Sequence, residues 1–318
     1  MTKTRILLGL MVLVLLAVDC GGGAAGFPDQ NEAIRPAAAW LVETRQNDDG
    51  GYTSFSAGAN QAPSDIVGTL DALLALAAAG EDTGAPRDYL MANGEALANF
   101  AAENGGQAGK ALLALSAAGA DARDFAEQDF VALLTDQFGS AGDYNVADPY
   151  KQSLALLGLA AADEEIPPEA VAWLKAKQAA NGSWDDGFGT LDNADATAMA
   201  IMALVAAGEN ADSEAVSRAV DFLAGAQAAD GGWPYAPGLP SSANSTALAG
   251  QALSALNEDW YTAGGRWAKE RTPLAALLSF QGESGAFQAD FGQGPADDFY
   301  ATVQALPALS GQPFPLAR

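Results

Sequence analysis

Two kinds of helical pattern alternate along this chain. One is amphipathic, with apolar residues three and four apart, as at Val171 and Leu174 and again at Val216, Val220 and Leu223. That spacing predicts a helix with one face turned inward and the rest in water. The other pattern is rich in alanine and leucine and apolar almost all round. Six such segments align without gaps, at 69–76, 108–115, 152–159, 197–204, 246–253 and 302–309, and their closing leucines stand 39, 44, 45, 49 and 56 residues apart. A helix that is apolar on every side is buried. The alternation therefore predicts an outer helix followed by an inner one, repeated along the chain.

A cluster of glutamine, turn, glycine and aromatic follows the outer helices. It runs Gln46 to Gly50 to Tyr52, Gln178 to Gly182 to Trp184, Gln227 to Gly231 to Trp233, and Gln281 to Gly285 to Phe287. A looser copy runs Gln137 to Gly142 to Tyr144, and a degenerate one is Glu103-Asn104-Gly105-Gly106. The glycine supplies a positive φ where the outer helix ends. The glutamine amide suits the exposed backbone groups of that turn, tying repeats together, and the aromatic is placed to stack on the neighbouring hairpin. Hairpins of this kind bury their apolar faces only against one another. Six of them curled into a ring leave no exposed end, so the predicted fold is all-α, an (α/α)6 toroid of outer–inner hairpins.

These residues carry a specific resemblance. The Gln-x3-Gly-x-Trp spacing is similar to the repeat of the squalene–hopene and oxidosqualene cyclases. Related repeats occur in protein prenyltransferase β subunits and in the helical barrel of cobalamin carriers. The likeness extends over about residues 30–312. It implies the toroid, and it leaves the activity open because this fold hosts several.

In such a ring the inner helices start around one mouth of a central cavity. Four residues before the aligned Thr position stand Asp65, Asn104, Asp148, Asn193, Ser242 and Asp298. All are types that cap a helix by accepting a backbone N–H, each worth about 1 kcal/mol. Two residues before it stand Val67, Gly106, Tyr150, Asp195, Asn244 and Tyr300, which capping alone does not explain. The run Asn193-Ala194-Asp195-Ala196-Thr197-Ala198 resembles the Asp-x-Asp-Asp-Thr-Ala motif of squalene–hopene cyclases. There the middle aspartate protonates an alkene or epoxide, and the resemblance carries that role to Asp195. The match is incomplete: Asn193 and Ala196 replace the flanking aspartates, and the chain has no histidine to support the acid. Protonating an alkene takes an unusually strong acid with partners for its conjugate base. The preferred reading of Asp195 is a cap or a polar group of the mouth.

Two residues after the Thr position lie Asp71, Lys110, Leu154, Met199, Leu248 and Gln304. Asp71 and Lys110 belong to neighbouring repeats, and Gln304 to the repeat that closes beside the first. Buried charge needs a partner, so Asp71 and Lys110 are expected to pair. With Gln304, Tyr150, Asn244 and Tyr300 they form the expected polar part of a ligand cavity. Loop aromatics Trp184, Phe188, Trp233, Tyr235, Phe287 and Phe291, with Phe299 and Tyr300 further on, are interleaved with Asp185, Asp186, Asp290, Asp297 and Asp298. They are expected to pack between repeats, the alternative being a mouth for a hydrophobic or sugar-like ligand or a cation.

Composition narrows the chemistry. The 318 residues include 40 acidic and 15 basic side chains, no histidine and one cysteine, for a net charge of −25. A chain without histidine has no Ser-His-Asp or Cys-His machinery. The prenyltransferase zinc is held by aspartate, cysteine and histidine and is thereby excluded, as is the clustered Lys/Arg of a diphosphate site. No metal or cofactor is implied, and the charge excludes nucleic acid as a partner held by bulk electrostatics.

Lys3 and Arg5 before a 13-residue apolar run from Ile6 to Val18 read as an export signal, too short to span a bilayer. Cys20 before Gly21-Gly22-Gly23 resembles the lipid-modified cysteine of bacterial lipoproteins, with Asp19 departing from the usual consensus. The expected layout is a signal peptide at 1–19, a glycine-rich tether at 20–30, the toroid at 31–312 and a tail at 313–318. The expected location is extracytoplasmic, as a cell-surface lipoprotein or a secreted protein. The leading reading is a toroid that binds a hydrophobic or isoprenoid-like small molecule, or a protein partner, without catalysis. It would meet a membrane only through its signal or lipid anchor. The alternative is a divergent terpene-cyclase-like isomerase with Asp195 as general acid.

Overall fold

A computed structural model describes residues 27–54, 58–187, 189 and 192–317. The export-type start, Cys20 and Phe188 lie outside them. Helix α1 (Asn31–Trp40), which runs on through a π turn at Leu41–Arg45, precedes α2 (Ile66–Ala79). Helices α3 (Gly84–Ala92) and α4 (Gly94–Ala102) precede α5 (Gly105–Ala117), and α6 (Phe130–Thr135) precedes α7 (Pro149–Ala161). Then come α8 (Pro168–Ala176) and α9 (Ala194–Ala206), α10 (Glu214–Ala226) and α11 (Ala243–Ala255), and α12 (Pro273–Leu278) and α13 (Phe299–Leu309). A small antiparallel hairpin, β1 (Gln288–Ala289) with β2 (Ala296–Asp297), lies between the last two helices.

The inner layer is α2, α5, α7, α9, α11 and α13. They pack side by side in that order, and α13 closes against α2. The expected (α/α)6 toroid is what forms. The sequence pattern explains the layering: α9 buries every residue from Ala196 to Leu204, whereas α10 buries only Ala215, Val216, Ala219, Val220 and Leu223.

Each inner helix begins on its expected cap. Asp65 accepts from the Gly68 N–H at 2.7 Å, Asn104 from Gln107 at 3.2 Å and Asp148 from Lys151 at 2.8 Å. Asn193 accepts from Ala196 at 2.7 Å, Ser242 from Ser245 at 3.1 Å and Asp298 from Ala301 at 2.7 Å. A second bond recurs one turn further on. The hydroxyls of Thr69, Thr197, Thr246 and Thr302 accept the backbone N–H of Tyr52, Trp184, Trp233 and Phe287 at 3.0, 3.1, 3.0 and 2.9 Å. This fastens each motif aromatic to the inner helix of its own repeat.

The aromatics also bind their own outer helix. The indole N–H groups of Trp184 and Trp233 donate to the carbonyls of Leu174 and Leu223, both at 2.8 Å. The expected contact with the neighbouring hairpin is made as well, Trp233 meeting Trp267 at 5.9 Å and Tyr52 meeting Phe299 at 6.3 Å between ring centroids, while the buried indole N–H finds its acceptor at the end of its own outer helix.

The glutamines also cross to the next repeat. Gln178, Gln227 and Gln281 each donate from Nε2 to the carbonyl of their own glycine, Gly182, Gly231 and Gly285, at 2.9, 2.9 and 2.8 Å. The same atoms donate to Ala215, Trp267 and Ala33 of the following repeat at 2.8, 2.7 and 2.8 Å. The bond from Gln281 to Ala33 joins the last repeat to the first. Arg45 strengthens that seam, its guanidinium lying 5.5 Å from the Trp40 ring and 5.3 Å from the Phe299 ring. Glycine is required at the turn on two counts. Gly182 has φ +92°, and a Cβ there would stand 2.2 Å from the Arg218 carbonyl oxygen.

The closest helix crossing is between α5 and α7. A Cβ on Gly109 would lie 2.1 Å from the Leu154 carbonyl oxygen, and one on Gly158 would lie 2.5 Å from the Gly109 Cα. Gly109→Ala is expected to destabilise the fold by about 3 kcal/mol through forced separation of these helices. Gly225→Ala on α10, where a Cβ meets nothing within 4 Å, is expected to stabilise by about 0.5–1 kcal/mol through reduced unfolded-state entropy. Thermal melts of the two variants should move in opposite directions.

Candidate functional site

A cavity of about 210 Å³ lies among the inner helices. Its wall includes Asp71, Lys110, Leu154, Met199, Leu248 and Gln304, one from each inner helix. Equivalent positions on six helices in a ring point at the same axis, so this column encircles the lumen. Tyr150 and Tyr300 line it at the first turns of α7 and α13. Leu74, Leu113 and Gln251 line it about one turn deeper, at three residues or roughly 4.5 Å further along their helices. Phe314 completes the wall, and its backbone N–H reaches the Met202 Sδ at 3.4 Å. The segment expected as a tail is therefore folded in under the ring as far as it is described.

Asp71 and Lys110 pair as expected, with Nζ 2.7 Å from Oδ1 and 2.8 Å from Oδ2. Burial pushes the Asp71 carboxyl above its ordinary pKa, and the Lys110 ammonium pulls it back. Asn244 donates from Nδ2 to Gln304 Oε1 at 2.8 Å. Of the expected ligand-site residues, Asp71, Lys110, Tyr150, Tyr300 and Gln304 all line the cavity, while Asn244 stands as the partner of Gln304. Burial holds the Tyr150 phenol far above its usual range and pushes Tyr300 up to about 12. Both remain neutral hydroxyls at physiological pH.

Asp195 is at the mouth beside Tyr150, whose pKa its charge helps raise. It does not cap α9, since Asn193 does. Its carboxyl keeps a little accessible surface but is densely surrounded by protein. Burial pushes its pKa up to about 6, a hydrogen bond from the Ser245 hydroxyl opposes this, and the Asp186 charge adds to it. Oδ1 is buried without a partner. Chemically this is a carboxyl that can hold or release a proton close to neutrality. The loop aromatics divide: Trp184, Trp233 and Phe287 are fully buried, whereas Tyr235 and Phe291 are exposed.

Among the lumen residues not anticipated, Gln251 and Phe314 stand out. Gln251 had a signal: five residues after the aligned Thr position stand Leu74, Leu113, Leu157, Met202, Gln251 and Pro307, a column with a single polar member. Phe314 had none, because its place depends on the path of the chain after α13.

The state of Asp195 gives a pH-dependent prediction. A carboxyl whose pKa is raised on folding favours the folded state at low pH and loses that advantage as pH rises through about 6. Asp195→Asn cannot ionise, so at pH 7.5 it should be more stable than the parent by about 1–3 kcal/mol. The gain should vanish near pH 4, below the raised pKa. Melting curves across that range check it, and a constant difference would contradict the assignment.

Sequence comparison divides the chain between two family profiles. Residues 13–137 match the prenyltransferase α/α-toroid domain and residues 139–268 match the squalene–hopene cyclase C-terminal domain. No curated protein matches by sequence. Among solved structures, a variant of the type II terpene cyclase MstE from Scytonema, in complex with geranylgeranyl dihydroxybenzoate, superposes with a TM-score of 0.61 at 19% identity. That alignment covers 88% of this chain and 96% of the cyclase. A protein from Actinoplanes gives 0.64 at 19% identity, covering 88% of this chain and 98% of its own. Haptocorrin in complex with Cbi gives 0.57 at 17% identity, covering 89% of this chain and 67% of haptocorrin. By profile and by architecture, this chain is an α/α toroid similar to the prenyltransferase and squalene–hopene cyclase toroid domains.

Proposed function

We propose that the toroid is a receptor for a compact, mostly apolar small molecule held in the lumen, and that it does not transform that molecule. The observation that carries this reading is the size and lining of the cavity. A dry cavity of about 150 Å³ accommodates benzene, and pockets for drug-sized ligands start at about 300 Å³. At about 210 Å³, this lumen suits a monocyclic molecule and is too small for a chain of twenty carbons like that bound by the Scytonema cyclase. Its wall also carries an ammonium, Lys110, paired with Asp71. A fixed cation beside the substrate works against a carbocation intermediate, which needs negative potential around it. In this reading the N-terminal run serves export and Cys20 is the lipidation site, so the receptor works at the cell surface.

One observation favours a second reading. Asp195 is a buried carboxyl with a free oxygen at the mouth, in the register of the cyclase acid. Against it, a pKa of about 6 marks a weak acid for protonating an alkene.

A single set of measurements separates the two. Saturable binding of cycloheptane-sized molecules to the purified chain is expected, with loss of at least tenfold in affinity on Leu154→Trp, which fills the lumen. No conversion of geranylgeranyl substrates is expected. Turnover of such a substrate that disappears in Asp195→Asn would replace the receptor reading with the enzymatic one.

A further inference from the structure

The wall of the lumen holds one amide with nothing to bind. Gln251 on α11 is 1% exposed and lines the cavity. Neither its Oε1 nor its Nε2 has a hydrogen-bond partner. Three other polar side chains of the wall differ: Asp71 and Lys110 satisfy each other, and Gln304 accepts from Asn244. Among the described residues, no other amide is buried with both ends empty.

An unpaired buried donor and an unpaired buried acceptor each cost free energy that an apolar residue of similar shape would not. The fold does not ask for that cost. The equivalent positions on α2, α5, α7, α9 and α13 are Leu74, Leu113, Leu157, Met202 and Pro307, so the column works with apolar side chains. A polar group that the architecture does not need, set in the wall of a cavity, points to something that enters the cavity.

We propose that Gln251 is the recognition group of the lumen and reads a ligand with an amide-type edge, one N–H and one C=O side by side, on a compact apolar body. This rests on the receptor reading given above. The chemistry selects the edge. A carboxamide offers an acceptor oxygen and a donor nitrogen in one plane, and the N–H and C=O of a lactam or primary amide match both at once. A carboxylate brings two acceptors and leaves Oε1 unpaired. An ammonium brings donors only, and Asp71, the nearest counter-charge in the wall, is already taken by Lys110. Leu74, Leu113, Leu154, Met199 and Leu248 around the rest of the cavity suit the apolar body.

The test titrates the full chain with ε-caprolactam and with cycloheptane, rings of the same size with and without the edge, in the parent and in Gln251→Met. The parent is expected to bind caprolactam at least tenfold more tightly than Gln251→Met does, while cycloheptane binds the variant as well as or better than the parent. Cycloheptane binding with no caprolactam preference, or a preference that survives Gln251→Met, overturns the role of Gln251 and leaves the receptor reading standing. Binding of neither ring overturns both. The thermal melt guards against a structural explanation. Gln251→Met removes two unpaired polar atoms, so its Tm should equal or exceed the parent's, and a clearly lower Tm would mean that Gln251 holds the fold together.

Discussion

The amide that links one hairpin to the next is the interaction on which this ring depends. A glutamine Nε2 carries two N–H donors in fixed directions. At Gln178, Gln227 and Gln281 one goes to the carbonyl of the glycine turn and the other to the next repeat. A glutamate has no donor and an asparagine is shorter by a methylene, so the geometry selects the residue. The third repeat supports the point by departing from it. Gln137 there turns back to Ala101 at 3.0 Å. Gln152, in the threonine column of α7, takes over: Nε2 binds Gly142 and Ala170 at 2.9 and 3.3 Å, and Oε1 accepts from Tyr144 at 3.1 Å. One side chain does the work of both threonine and glutamine.

Because the seams are made by backbone carbonyls and a few side chains, the inner layer is left to pack by size. Gly109 and Gly158 let α5 and α7 approach until backbone meets backbone. The result is a narrow lumen, as the alanine content of these helices leads one to expect. Columns therefore separate by task. Caps and threonines build the ring, and the alanine and glycine columns set its spacing. The column that encircles the axis is free to differ from repeat to repeat, and it does, running from aspartate and lysine to leucine, methionine and glutamine.

That division of labour explains what was legible beforehand. Features repeated in several copies could be read from the sequence, because alignment exposes them: the six caps, the glutamine ties and the layering. The Asp71–Lys110 pair was legible for another reason. Charge inside an apolar helix has few ways to survive, and the two charges fall on adjacent repeats at one register. The acceptor of the motif indoles was not legible, since an indole N–H can seek a carbonyl in either direction. Asp195 was read as a cap or mouth residue. Asn193, two residues earlier and already in the cap column, does the capping, which leaves Asp195 as a group of the mouth. The floor of the lumen, closed by Phe314, follows from a chain reversal that leaves no periodic trace.

The polar groups that remain unsatisfied are then the informative ones. Two of them, at the lumen and its mouth, are buried at a cost and serve no seam. Asp195 Oδ1 is near the mouth and the Gln251 amide is in the wall of the lumen. Between them lies an ion pair that is already complete. Acid catalysis on an isoprenoid would need the reverse arrangement: a strong acid in the chamber, aromatic walls around it and no ammonium nearby. What the chain presents instead is an ionisable group outside the apolar chamber and a neutral hydrogen-bonding group inside it. In the receptor reading proposed above, such a lumen selects its guest by shape and by one polar edge, and offers that guest little chemistry once it is bound.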